Sequence, residues 1–182
     1  DLSSLRFISN TGAVLTPTHV AALRERLPHV KIFKMYGLTE CKRVSYLDPA
    51  EIDRRPDSVG KPMDNVEVYL VDENGQRRDT GLGELVVRGS NVMSGYWGAP
   101  EATDQVLKPG PYPGERVLHT GDIFRIDDEG FMYFMSRTDD VIKCRGQKVS
   151  PREVEKVIQT LPGVHEVFVL GVDSRCGECD GH

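Results

Sequence analysis

Apolar positions along the chain change their spacing several times, and each change marks an element. Arg6-Phe7-Ile8-Ser9 reads as a short strand, followed by a turn at Asn10-Thr11-Gly12-Ala13. Pro17 suits the first turn of a helix, and Val20, Leu23, Arg24 and Leu27 follow at helical spacing until Pro28 ends it. Val30 to Met35 resumes as a strand. This β-turn-α-β order predicts a parallel sheet whose ligands bind outside the carboxyl ends of its strands, and Tyr36 to Glu40 falls at such an end.

From about Ser58 the texture changes. Val66 to Val71 alternates, Glu73-Asn74-Gly75-Gln76 is a turn, and Glu84 to Arg88 is another strand. Val117 to Phe124 and Phe131 to Met135 continue the β pattern around a turn at Asp127-Asp128-Glu129-Gly130. Short strands between glycine turns predict a small antiparallel sheet or barrel. Further on, Ser150 as N-cap, Pro151 at the first helical position and Glu153 as the second half of a capping box predict a helix running to Leu161. Pro162-Gly163 stops it, and the apolar run within Val164 to Val172 predicts a buried strand.

Composition bounds this picture without redrawing it. At 182 residues the chain can bury a real core, as one large domain or two small ones. Its formal charge of −5 is mild and its basic residues do not cluster, which disfavours a nucleic-acid surface. No apolar run approaches the roughly 20 residues that a membrane-spanning helix needs, and no charged-then-apolar leader opens the chain, so a soluble, cytoplasmic protein is expected. Cysteines 41, 144, 176 and 179 are too few and too unevenly placed for a disulfide framework, and free thiols are the default. No internal repeat or low-complexity segment is present.

Three short segments carry candidate chemistry. In Tyr36-Gly37-Leu38-Thr39-Glu40 an aromatic face can stack on a purine, a glycine admits close backbone approach, a hydroxyl can bond a phosphate oxygen and a carboxylate can hold Mg²⁺. The same run also reads as a strand-terminal turn with a packed tyrosine and a solvated glutamate. Thr120-Gly121-Asp122 offers a carboxylate for two ribose hydroxyls, or an ordinary Asx-type turn. Arg137-Thr138-Asp139-Asp140, between the β-rich region and the capped helix, is a hinge with an arginine donor or an exposed charged linker. His119 stands beside Thr120, within reach of a nucleotide there, although a lone histidine in a strand more often packs. Cys176, Cys179 and His182 make half a zinc site, one ligand short of the usual four, and an altered chain end explains them more simply.

Taken together, these segments resemble the AMP-forming acyl-CoA synthetase superfamily, the adenylate-forming enzymes, which includes acyl- and aryl-CoA ligases, peptide-synthetase adenylation domains and luciferases. The resemblance covers nearly the whole chain. It rests on Tyr36-Gly37-x-Thr39-Glu40, Gly83-Glu84-Leu85-x-Val87-x-Gly89 with Gly95-Tyr96-Trp97, Thr120-Gly121-Asp122, and Arg137-x-Asp139-x-x-Ile142-Lys143-x-x-Gly146. It implies a two-step reaction in which a carboxylate attacks the α-phosphate of ATP to give an acyl-adenylate and pyrophosphate, and a thiol, usually coenzyme A, then displaces AMP. It further implies that Tyr36 stacks on adenine, with Thr11, Gly12, Ala13 and Gly37 lining the nucleotide pocket. Thr39 would bond the α-phosphate and Glu40 would hold Mg²⁺. Asp122 and Arg137 would grip the ribose, Asp139 would be the hinge of a rotating C-terminal lid, and Lys143 and Gly146 would face the site during thioester formation.

The implied organisation is α/β with a β-barrel-like subdomain. Residues 1–57 would end a parallel α/β sheet carrying the adenine and magnesium site, 58–138 would form an antiparallel β subdomain carrying the ribose site, and 139–182 would hold the hinge and the first part of the lid. The family's Gly-, Ser- and Thr-rich phosphate loop and its late catalytic lysine are both missing. An internal fragment with little or no adenylation activity of its own is therefore expected. Ser136 stands where the family usually has glycine, and Lys148 where some members have arginine. The run Ile142 to Pro151 looks closer to freestanding ligases than to peptide-synthetase modules. A non-catalytic or degenerate nucleotide-binding relative is the other class. The acid is set mostly by residues upstream, and an open sheet edge with an exposed apolar face predicts self-association.

Overall fold

The computed structural model of the protein describes residues 1–144 and 147–171. Gly146, Val172 and the Cys176, Cys179 and His182 group lie outside the described residues. In chain order the elements are β1 (Phe7–Asn10), α1 (Pro17–Arg26), β2 (Lys31–Leu38), β3 (Cys41–Leu47), a 3₁₀ turn (Pro49–Glu51), β4 (Lys61–Pro62), β5 (Val66–Val71), β6 (Arg77–Arg78) and β7 (Gly81–Gly89). They continue with α2 (Pro100–Val106), β8 (Leu107–Pro109), β9 (Arg116–Ile126), β10 (Met132–Arg137), β11 (Ile142–Cys144), β12 (Gln147–Val149) and α3 (Pro151–Ile158). The chain divides into two compact units, 1–134 and 135–182, with the division inside β10.

In the first unit a four-stranded sheet has the order β1-β2-β3-β4. Only β1 and β2 are parallel, joined through α1 with Phe7 opposite Lys31 and Asn10 opposite Lys34. The strands β2, β3 and β4 run antiparallel, so the expected parallel sheet is mixed. The strand β3 escaped the sequence pattern because Arg43, at φ +63°, breaks its alternation into two exposed residues followed by two buried ones. The second sheet, ordered β10-β9-β7-β5-β6 with β8 beside β9, is antiparallel in its registered pairs and curls as a half-barrel. Between its strands sits a helix the β texture had hidden: α2, opened by Pro100 at its first position.

Two apolar clusters hold this unit. Cys41 and Val44 of the first sheet pack with Leu70, Leu85, Leu118 and Phe124 of the second. Val20 of α1 packs on Ile32, Leu47, Ile52 and Phe131. Each fully buried aliphatic or aromatic side chain here contributes about 1.5–3 kcal/mol. Polar stitching supplements the packing. The Ser58 hydroxyl donates to the Met132 carbonyl at 2.9 Å, the Val59 N–H donates to the same carbonyl at 2.9 Å, and the Met132 N–H donates to the Gly60 carbonyl at 2.9 Å. The Arg55 guanidinium bonds Asp127 at 2.7 Å and lies 4.0 Å over the Phe131 ring. Burial pushes the Cys41 thiol up to about 11, so it behaves as a packed apolar side chain.

In the second unit β11 and β12 form a hairpin with Lys143 opposite Lys148. The helix α3 ends at Ile158, and the expected last turn tightens into Leu161 N–H to Ile158 O at 3.0 Å. Ser150 occupies the N-cap with Pro151 after it, yet its hydroxyl makes no cap and bonds the Met135 carbonyl at 3.4 Å. Ser150 therefore does not close the expected capping box. Residues 164–171 do not form the expected buried strand: they are irregular, with Phe168 86% and Leu170 76% exposed. Among the described residues no strand pairs with this run, although the Val169 N–H donates to Glu155 Oε1 at 3.0 Å. Among the described residues no helix is long and apolar enough to cross a membrane.

Candidate functional site

Tyr36 lies inside β2, not beyond its end, because the strand runs on to Leu38 and only Thr39-Glu40 turn before β3. Gly37 makes this hairpin possible: a Cβ there would come within 2.6 Å of the Arg43 N. The Tyr36 ring packs edge-on against Phe124, with centroids 4.7 Å apart, and its hydroxyl donates to Asp122 Oδ2 at 2.6 Å. Residues 86 positions apart, from two different sheets, thus meet as a pair whose carboxylate is buried and whose phenol is half-buried. Burial first, and then the Asp122 charge, push the Tyr36 phenol far above its ordinary range.

Thr120-Gly121-Asp122 is also not a terminal turn. It sits in the middle of β9, where one residue of β7, Leu85, spans the gap between the pairs Glu84–Ile123 and Val86–His119. The extra residues of β9 form a bulge, and Gly121 supplies the φ of +69° that it requires. Displaced N–H groups find side-chain acceptors: Gly121 donates to Glu84 Oε1 at 3.1 Å and Asp122 to the Thr120 hydroxyl at 3.1 Å. Thr120 in turn donates to the Leu85 carbonyl at 2.8 Å. His119 is half-buried and pairs through Nδ1 with Glu84 Oε2 at 3.2 Å. That histidine, followed by the Gly121 N–H, draws the Glu84 carboxyl below its usual range, while burial opposes them.

Glu40, the expected magnesium ligand, accepts a hydrogen bond from the Tyr96 hydroxyl, which raises that phenol to about 12. Two backbone links hold the segments together, a Cys41–Val92 bridge and the Met93 N–H to Glu40 O bond at 2.8 Å. Thr103 of α2 accepts the Tyr96 N–H at 2.9 Å. The Tyr96 contact was invisible at a separation of 56 residues, although Gly95-Tyr96-Trp97 had marked the segment. Thr39 is exposed in the turn, and Thr11, Gly12 and Ala13 are exposed where the chain leaves β1. The parallel register ends with Asn10 opposite Lys34, directly before that loop.

The second unit holds the remaining expected residues. Arg137 ends β10 and its guanidinium stands 3.7 Å from Asp139, which lies in the turn 138–140. Lys143 has a described backbone position in β11. Among the described residues no group of three or more His, Cys, Asp or Glu side chains is placed to hold a metal alone. Glu40 fits instead the way Mg²⁺ is usually held at a nucleotide, by one or two carboxylates with phosphate oxygens and water completing the shell.

The sequence profile of the AMP-binding enzyme family matches residues 1–97, and the chain belongs to that family. It is 40% identical over 175 residues to a long-chain-fatty-acid–CoA ligase of Escherichia coli O157:H7, covering 96% of this chain and 30% of that protein. The chain thus spans about a third of the length of the curated relative it matches. The amide bond synthetase McbA from Marinactinospora thermotolerans superposes with a TM-score of 0.82 at 38% identity, over 94% of this chain and 34% of its own. O-succinylbenzoate coenzyme A synthetase from Bacillus subtilis, in complex with ATP and magnesium ion, gives 0.80 at 30% identity, over 95% and 35%.

The Tyr36–Asp122 pair makes a spectroscopic outcome expected. A tyrosine whose folded pKa lies above its unfolded value near 10 stabilises the fold fully below that pH and progressively less as pH rises through it. Tyrosinate absorbance in an alkaline titration should therefore contain a component that appears only as the chain unfolds, and Tyr36→Phe should remove it. Tyr36→Phe also leaves Asp122 one donor short, at about 1–3 kcal/mol of stability. A component that titrates normally in the folded protein would contradict this burial.

Proposed function

We propose that this chain is the nucleoside-binding and hinge portion of an ATP-dependent ligase that activates a carboxylic acid as its acyl-AMP and passes the acyl group to a thiol, coenzyme A. The observation that carries the reading is the Tyr36–Asp122 pair: a buried carboxylate already accepting an O–H at 2.6 Å offers the chemistry that ribose hydroxyls require. Membership of the AMP-binding enzyme family supports the same ligand.

In this reading residues 1–138 are the end of a large adenylate-forming domain and 139–182 begin its lid. Tyr36, with Thr11, Gly12, Ala13 and Gly37, lines the adenine pocket. Asp122 and Arg137 bind the ribose hydroxyls. Thr39, exposed in its two-residue turn, bonds the α-phosphate, and Glu40, its side chain oriented by Tyr96, helps to hold Mg²⁺ beside the phosphates. Asp139 is the pivot of the lid, and Lys143 serves the thioester-forming step. Both ring and carboxylate are held by packing before the nucleotide arrives, so little ordering remains to be done on binding.

The test is calorimetric titration of AMP and Mg²⁺-ATP into this polypeptide and into Asp122→Ala. Binding by the parent chain and at least a tenfold weakening in the variant are expected, from the loss of charge-assisted hydrogen bonds to the diol. Equal affinity in both proteins would remove Asp122 from the site, and no binding to either would withdraw the reading.

A further inference from the structure

We propose that Glu84 is a positioning residue for ribose recognition, its carboxylate fixing the β9 bulge that presents Asp122 and so setting the preference for ribo- over deoxyribonucleotides. The inference rests on the reading of Asp122 given above and adds a residue that never touches the nucleotide.

A bulge leaves backbone donors without ladder partners, and a buried N–H with no acceptor is costly enough that the strand would otherwise shift. Here Glu84 Oε1 takes the Gly121 N–H at 3.1 Å, directly before the residue whose carboxylate matters. Its second oxygen is held by His119 Nδ1 at 3.2 Å, from the residue that closes the bulge on the other side. One carboxylate thus ties the centre of Thr120-Gly121-Asp122 to the residue just before it. Glu84 sits on β7 itself, so the brace is anchored to the neighbouring strand and not to the bulge it holds. Gly121, at φ +69°, has no side chain of its own with which to fix the turn, so the Glu84 bond holds the bulge beside the Thr120 hydroxyl, which accepts the Asp122 N–H at 3.1 Å.

Ribose selectivity is the readout that separates positioning from mere folding. Calorimetry would compare AMP with 2′-deoxy-AMP on the parent chain, on Glu84→Ala and on Glu84→Gln. The parent chain should prefer AMP. In Glu84→Ala, affinity for AMP should fall about tenfold while that for 2′-deoxy-AMP holds, erasing the preference, as expected for a hydrogen bond to a charged group. Glu84→Gln keeps an oxygen acceptor for Gly121 and should retain the preference. If Glu84→Ala loses both nucleotides equally, or keeps the parent ratio, the inference falls while the nucleotide reading stands. A parent chain that binds neither nucleotide sinks both. An independent measurement covers a poorly folding alanine variant: the Gly121 amide resonance should move in Glu84→Gln as its charged acceptor becomes neutral, and an unmoved resonance overturns the brace.

Discussion

Gly60→Ala is expected to unfold the first unit under conditions where the parent chain is stable. Gly60 is buried, has φ +86°, and a Cβ built there would overlap the backbone of Tyr46 and Leu47 in the adjacent strand. No rotamer relieves such an overlap, because the obstacle is main chain. Relief would pull Gly60 away from β3 and break both the bond its carbonyl accepts from the Met132 N–H of the second sheet and the bond its own N–H donates to the Ser58 hydroxyl at 3.0 Å. A loss of about 4 kcal/mol or more is expected, a large share of the 5–15 kcal/mol typical of a domain. Gly75→Ala is the matched control, since Gly75 has φ +75° with open space around it and should cost only about 1–2 kcal/mol of backbone strain. Urea denaturation followed by circular dichroism separates the two. Midpoints that fall together would show that the backbone conformation, and not the overlap, sets the cost.

How much of this was legible in the sequence depends on the range of the interaction concerned. Local signals read correctly: Pro17 opens α1, the alternation of Val66 to Val71 is β5, and Asp127 with Gly130 closes the turn before β10 through an N–H to carbonyl bond of 2.9 Å. Motif chemistry pointed to Tyr36 and Asp122, and the fold brings them into contact. Their settings were not legible. A glycine between threonine and aspartate suggests a turn, and only the pairing of β7 with β9 makes it a bulge within one long strand. Glu84 looked like one more strand residue because its partners lie 35 and 37 positions away. The apolar run after Pro162 misled in the opposite direction, since burial demands a neighbour and periodicity cannot supply one.

Phe124→Ala should damage both the stability of the first unit and its candidate site. Phe124 is fully buried, and it lies two residues after Asp122, on the same face of β9 by strand alternation. Its ring meets Tyr36 at 4.7 Å on one side and Phe134 at 5.5 Å on the other, both edge-to-face. Truncation removes these contacts and opens a cavity, for a total cost of about 3–5 kcal/mol. Tyr36 would lose the surface that holds its ring while its hydroxyl reaches Asp122, so the two substitutions should not act independently. In a double-mutant cycle of Phe124→Ala with Tyr36→Phe, a coupling of about 1 kcal/mol is expected, because once the shelf is gone the hydroxyl is less firmly directed at the carboxylate. AMP affinity should fall more in Phe124→Ala than in Phe124→Leu, which refills most of the volume. Additive stabilities together with unchanged AMP affinity would mean that Phe124 fills the core without setting the position of Tyr36.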